Sequence, residues 1–237
     1  MTLYVFDLDG TLTPPRLPMT PAFEKFFIRW AKDKKCFIAT GSDLKKVKEQ
    51  ISLNAMNAFE GIYCSMGNVL WKKGEIVYKK EFVENKLLIE KLKEYRRTTA
   101  YPYTLYDTDI EKRDGMINFS VIGRSCPYAE RERYFAYDKE THEREKIREE
   151  LLALFPEYDI SIGGMISLDI TPKGCGKEQV AHHLRECYSD EKIIFLGDKT
   201  FEGGNDYALA QEVLMLGNAE VVQVAGPDAV ENFLKNE

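Results

Sequence analysis

An apolar run at residues 3–6 ends abruptly on two acids, Asp7 and Asp9, with Leu8 between them and Gly10 behind. A buried strand that stops on carboxylates puts chemistry where α/β proteins keep it, beyond the carboxyl ends of parallel strands. The pattern returns near the other end of the chain. There residues 193–196 run into Gly197-Asp198-Lys199-Thr200-Phe201-Glu202-Gly203-Gly204-Asn205-Asp206. Parallel strands bring their carboxyl ends together, so Asp198 is expected beside Asp7 and Asp9 despite the separation in sequence. Gly10 allows a tight turn and a close approach. Gly203 and Gly204 let the second loop fold back, leaving Asn205 and Asp206 at the start of a helix. A plainer account stays open for each block: an acidic Asx-type turn for the first, a Gly-rich loop with a helix cap at Asn205 or Asp206 for the second.

Two acids with one residue between them suit an aspartyl nucleophile beside a general acid/base. Mg²⁺ would offset the repulsion between carboxylate and phosphate. Octahedral Mg²⁺ takes one or two carboxylates together with waters and phosphate oxygens. Thr40-Gly41-Ser42 follows another apolar run and precedes a helix, so hydroxyls, N–H groups and the helix end can face an anion. Ser42 serves equally well as a plain N-cap. Lys177 opens the next helical stretch, either offsetting the charge at Asp7 or standing on the surface.

The organisation is α/β at both ends and different in the middle. Strands are expected at 3–6, 36–39, 61–64, 192–196 and 221–224, with helices at 21–32 and 43–51. Thr20-Pro21 reads as an N-cap with a first-turn proline. Between them, alternating runs at 104–106, 116–122 and 165–170 and one long charged helix over 128–154 indicate helices on one face of an antiparallel sheet. The fold class is therefore α/β, a parallel-sheet core over 1–81 and 175–237 interrupted by an α+β cap over 82–174. Joints are expected at 77–82 and 172–176, where Gly174 and Gly176 can absorb backbone change.

A formal charge of −6 without a basic stripe argues against a nucleic-acid partner. No apolar run is long enough to span a membrane, and the first residues read as strand rather than leader, so a cytoplasmic location is expected. Five cysteines with no Cys-x-x-Cys spacing indicate neither a disulfide framework nor a zinc site. Adjacent His182 and His183 point about 100° apart on a helix and do not easily share a metal.

The block at 7–16 resembles motif I of the haloacid dehalogenase (HAD) phosphotransferases. Several further blocks, in order, resemble the eukaryotic-type α-phosphomannomutases over nearly the whole chain: Arg113-Asp114-Gly115-Met116-Ile117-Asn118, Ile122-Gly123-Arg124-Ser125-Cys126, Glu130-Arg131, and Ser161 through Asp169. The resemblance implies a Rossmann-like HAD core with a C2-type cap. It implies interconversion of mannose 6-phosphate and mannose 1-phosphate, primed by a hexose 1,6-bisphosphate. Asp7 would be the nucleophile that becomes an aspartyl phosphate and Asp9 the acid/base, with Lys177 in support. Mg²⁺ would be held by Asp7, by Asp9 through its carbonyl, and by Asp198. Arg16, Arg113, Arg124, Arg131, Ser167 and Asp169, with Ser42, would bind the sugar phosphate, and a homodimer would form through the cap. The alternative within enzymes is a HAD-type sugar-phosphate phosphatase with the same nucleophile.

The arginines also make sense on charge alone. A phosphomonoester carries about −1.5 to −2, and a bisphosphate is more than one Mg²⁺ can balance. Guanidinium forks grip phosphate oxygens bidentately. For Arg131, inside Glu130-Arg131-Glu132-Arg133, a salt-bridged surface remains the competing account. The chain departs from the family pattern at Ser65-Met66-Gly67-Asn68, at Asp114, at Cys175-Gly176 and at 210–214. With one acid left in that last loop, a second structural cation is not expected.

Overall fold

The computed structural model describes residues 1–237, which fall into two units, Met1–Lys80 with Cys175–Glu237, and Glu81–Gly174. No helix is long and apolar enough to cross a membrane.

The first unit is built on a seven-stranded sheet. Its strands are β1 (Thr2–Phe6), β2 (Lys35–Ala39), β3 (Gly61–Cys64), β4 (Val69–Lys72), β5 (Glu75–Lys79), β10 (Lys192–Gly197) and β11 (Ala219–Gln223), in the order β11-β10-β1-β2-β3-β4-β5. The first three, with β10 and β11, are parallel; β4 runs back antiparallel to β3, and β5 is antiparallel to β4. Both faces are covered, which is why the parallel strands read as continuous apolar runs. Tyr4 and Phe6 pack with Phe27 and Phe59 on one face, while Leu3 and Val5 pack with Val180, Leu184 and Leu209 on the other. The covering helices are α1 (Pro21–Trp30), α2 (Leu44–Gln50), α3 (Leu53–Met56), α7 (Gln179–Cys187), α8 (Tyr207–Met215) and α9 (Pro227–Leu234). Thr20 caps α1 by accepting the Phe23 N–H, as its sequence suggests.

The register matters for the site. Phe6 pairs with Ile38 on one side and Leu196 on the other, so Asp7, Thr40 and Asp198 all emerge at the same sheet edge. The β4–β5 hairpin is absent from the sequence expectations. Its signal is Lys73-Gly74, both at positive φ (46° and 99°), the primed turn that suits a two-residue hairpin. Residue 77 therefore lies inside β5, and the chain leaves this unit after Lys80.

The second unit has a four-stranded antiparallel sheet, β6 (Ile110–Arg113), β7 (Met116–Phe119), β9 (Ser167–Pro172) and β8 (Tyr158–Gly163). Helices α4 (Lys86–Thr98), α5 (Tyr128–Thr141) and α6 (Glu143–Leu154) belong with it. Leu88, Leu92, Tyr134, Ile147 and Leu151 meet Ile117, Phe119, Leu168 and Ile170 in one apolar cluster. Four expectations need correction here. Residues 104–106 form no strand, because the Tyr106 carbonyl goes to Arg96 Nη2 (2.5 Å) and only the Tyr106 N–H reaches across, to Ile122. The strand expected over 116–122 stops at Phe119, and that expected over 165–170 is shifted to Ser167–Pro172. The long helix breaks at His142, whose φ of 54° is left-handed. The His142 N–H closes α5 on the Asp138 carbonyl, and the Asp138 carboxylate accepts the Arg144 N–H at the head of α6 (2.8 Å).

Candidate active site

Asp7 leaves β1 through a bond from its own N–H to the Leu196 carbonyl (2.9 Å), which ties it to β10. Its carboxylate is buried. Lys177 Nζ donates to Asp7 Oδ1 (2.5 Å) and Asp206 Oδ1 (2.6 Å), and all three side chains are at most 2% exposed. The competing surface placement for Lys177 thus gives way to a central one. It sits in the turn ahead of α7 rather than in the helix.

Asp198 completes the acidic group. One carboxylate oxygen from each of Asp7, Asp198 and Asp206 lies within 4.8 Å of the others. Two glycines permit this crowding. A Cβ on Gly10, which has φ +89°, would stand 2.5 Å from Asp198 Oδ2, and one on Gly197 would stand 2.7 Å from Asp206 Oδ2.

One ammonium among three carboxylates leaves excess negative charge. Burial and the neighbouring Asp206 push Asp7 up to about 8 despite the opposing pull of Lys177, and burial raises Asp198. Burial alone would lower Lys177, but Asp206 and Asp7 outweigh it and the net direction is up. Asp7 Oδ2 and Asp198 Oδ1 are buried without a hydrogen-bond partner. Unpartnered carboxylate oxygens in a group of three acids whose ligand atoms lie this close fit a hard divalent cation.

Linkage then sets a sign. An acid raised in the folded state stabilises that state fully below its ordinary value near 4, and the contribution is lost as pH rises through about 8. A cation replaces the proton. Its stabilisation should therefore be small at pH 5 and largest above pH 8, reaching about 2.7 kcal/mol at a hundredfold excess over Kd, or roughly 5–10 °C for a chain this size. Thermal melts with and without a divalent cation across that range check this, and a pH-independent gain would count against the cluster as the site.

Asp9 stands apart from the acidic trio. Its Oδ1 accepts from the Arg16 N–H (2.8 Å) and Gln50 Nε2 (2.9 Å), and its Oδ2 from Ser42 Oγ (3.0 Å). Asp206, absent from the expected metal set, takes the third carboxylate position. Ser42 is not the cap of α2; Asp43 is, accepting the Lys46 N–H. Arg16 adopts φ 63° and braces Asp9 through its backbone.

The second unit carries its own polar cluster. Arg124 Nη1 donates to Asn118 and to Ser167 Oγ (2.6 Å), and its Nε meets Glu111 (3.0 Å). Arg113 pairs with Glu111 and lies 4.0 Å from Asp169, which accepts from Asn118 (2.5 Å). Arg131 is 7% exposed, so the solvated-face account fails for it; its Nη2 reaches the Arg124 carbonyl and its Nη1 is buried without a partner.

The model of the eukaryotic phosphomannomutases matches residues 23–236. The phosphomannomutase of Drosophila melanogaster is 38% identical over 87% of this chain and 85% of its own length, and that of Dendrobium officinale 35% identical over 95% and 90%. The chain belongs to the eukaryotic phosphomannomutase family. Solved structures share the HAD fold at much lower identity. A HAD subclass IIB sugar phosphatase aligns with a TM-score of 0.56 at 17% identity, covering 100% of this chain and 98% of that one. A haloacid dehalogenase-like hydrolase from Bacteroides thetaiotaomicron aligns with a TM-score of 0.60 at 16% identity, covering 99% and 98%.

Within this phosphomannomutase-family chain, Asp7, Lys177 and Asp198 come together, Asp9 lies outside that group and meets Ser42 instead, and Arg113, Arg124, Arg131, Ser167 and Asp169 share the second cluster. Gln50 escaped notice. It is buried, and its amide bridges Asp9 Oδ1 and Thr13 Oγ1 (3.1 Å). The available signal was a polar residue three positions after Val47 on the buried face of α2.

Proposed function

We propose that the chain is a Mg²⁺-dependent phosphomannomutase that interconverts mannose 6-phosphate and mannose 1-phosphate through an aspartyl phosphate and a hexose 1,6-bisphosphate. The observation that carries this reading is Lys177 locked between Asp7 and Asp206 in a family member. Asp7 Oδ2, the oxygen without a partner, attacks phosphorus, while Lys177 holds the other oxygen and offsets charge. Asp7, Asp198 and Asp206, with the Asp9 carbonyl, would hold Mg²⁺, which supplies neutralisation of the transferring phosphoryl group. Asp9 gives a proton to the leaving oxygen and takes it from the attacking sugar hydroxyl. Ser42 suits that cycle because a hydroxyl donates to the carboxylate and rotates to accept from the acid.

The 81–174 unit supplies what a plain phosphatase does not need, a grip on the phosphate that is not reacting. Arg131 Nη1 is a buried donor awaiting an acceptor, and Arg113 and Arg124 add two forks. Ser167 and Asp169 would take sugar hydroxyls. The reading extends to a homodimer formed through this unit, testable by sedimentation, and to a cytoplasmic setting, supported by five free cysteines. Phosphorus NMR of the protein with Mg²⁺, mannose 1-phosphate and a trace of hexose 1,6-bisphosphate should show both mannose phosphates reaching equilibrium. Release of inorganic phosphate without exchange would make the protein a phosphatase.

A further inference from the structure

The turn after β3 contains residues that this scheme leaves without a role. Ser65, Met66 and Gly67 all have positive φ, at 49°, 61° and 91°, a conformation that only the glycine adopts without strain. Such strain persists where the surroundings over-determine it. Here the Ser65 N–H donates to the Ser42 carbonyl and the Met66 N–H to the Thr40 carbonyl, each at 2.9 Å.

Asn68 follows, fully buried. Its Nδ2 donates to the carbonyls of Ser65 (2.8 Å) and Cys175 (3.1 Å), and its own carbonyl accepts the Lys80 N–H (2.8 Å). Gln179, the first residue of α7, shares its Nε2 protons among the carbonyls of Met66 and Cys175 (2.8 Å each) and Asn68 Oδ1 (3.3 Å). Its Oε1 accepts from Lys80 Nζ (2.7 Å). The missing side chain at Gly67 makes room, since a Cβ there would lie 3.0 Å from Gln179 Cγ.

Lys80 and Cys175 are the residues where the chain leaves the first unit and re-enters it. The Gln179 side chain therefore grips both crossings, and Asn68 does so with its side-chain amide on Cys175 and its main-chain carbonyl on Lys80. Two residues beyond Cys175 stands Lys177, outside any regular helix and dependent on its neighbours for position.

We propose that Asn68 and Gln179 are positioning residues, an amide clamp that ties both crossings to the strained turn and, through the Cys175 carbonyl, sets Lys177 against Asp7. The inference rests on the phosphoryl-transfer reading above and deepens it.

Gln179→Glu tests it. The variant loses the Nε2 donors, keeps an acceptor for Lys80, and places an acid in the first turn of a helix, where it is favoured. Acetyl phosphate, which needs only the nucleophile and its supports, is the substrate to use with Mg²⁺. Its kcat should fall about 10- to 100-fold, the penalty of a small misplacement of a catalytic group, with KM unchanged. In the same preparations, hydrogen exchange should rise together at 65–68 and 174–178 while β1 and β10 stay protected. Gln179→Met, of similar length but with neither donor nor acceptor, should behave alike. Unchanged kcat with loosened exchange, unchanged exchange in both stretches, or loss of the folded core in both variants would each overturn the positioning role. Wild-type protein inert toward acetyl phosphate and both mannose phosphates would instead sink the functional reading. The exchange measurement would still show whether Gln179 binds the crossings to the Lys177 turn.

Discussion

Asp7→Asn is expected to lose roughly 10⁴- to 10⁶-fold in kcat, the scale of removing a nucleophile from a set that acts as a unit. The amide keeps the shape and can still accept from Lys177, so the fold should survive. A second readout separates chemistry from damage. With one of three crowded carboxylates neutralised, the cation-free variant should melt no lower than the wild type, and the gain in Tm on adding Mg²⁺ should shrink. Substantial turnover in this variant, with contamination excluded, would take the nucleophile's role from Asp7. A large drop in cation-free Tm would show that its charge is needed to hold Lys177.

Arg124→Ala and Arg131→Ala should each collapse isomerisation while largely sparing acetyl phosphate. Charge-assisted hydrogen bonds are worth about 1.5–3 kcal/mol each, so losing a two-bond fork predicts a fall of roughly 10²- to 10⁴-fold in kcat/KM for the sugar phosphate. That energy orients the sugar; the nucleophile does not depend on it. Measuring both reactions on each variant, beside its Tm, decides the matter. Equal loss of both reactions would mean that these arginines support folding, and unaltered isomerisation would remove them from the site.

Much of the core site was legible because strand ends are legible. An apolar run that stops on an acid names both the strand and the edge where the acid emerges, and two such runs in parallel register bring Asp7 and Asp198 together. Asp206 was harder to assign. At the head of a helix an acid reads first as a cap; Asp206 does stand at the N-cap position of α8, but its carboxylate makes no capping bond and turns to Lys177 and the Lys199 N–H instead. Lys177 itself carried no sign of burial, since its partners lie far away in sequence. Gln50, Asn68 and Gln179 were invisible for the same reason: a lone amide means little until its neighbours are known. In the 81–174 unit the clustered arginines stand out in the sequence, while the bounds of the elements that carry them do not. A left-handed His142 leaves no periodic trace inside a charged helix, and the alternating stretch at 104–106 lacks the strand partner that alternation suggests.

The order β11-β10-β1-β2 has a consequence for how the chain comes together. The central strand β1 is made first, but its neighbour β10 belongs to the far end of the sequence. The cluster of Asp7, Lys177, Asp198 and Asp206 therefore cannot assemble until nearly the whole polypeptide is present. Joining β1 to β10 across an unstructured stretch would carry the loop-closure entropy of that full length. The intervening 81–174 unit has its own apolar cluster, and the two residues that flank it in sequence, Lys80 and Cys175, both bond to Asn68 within the first unit. Once that unit is folded, the long excursion shrinks to a short one. The insertion that splits the sheet in sequence would then hasten its closure, and the mutually repelling carboxylates meet only when the lysine that reconciles two of them arrives on the same returning segment.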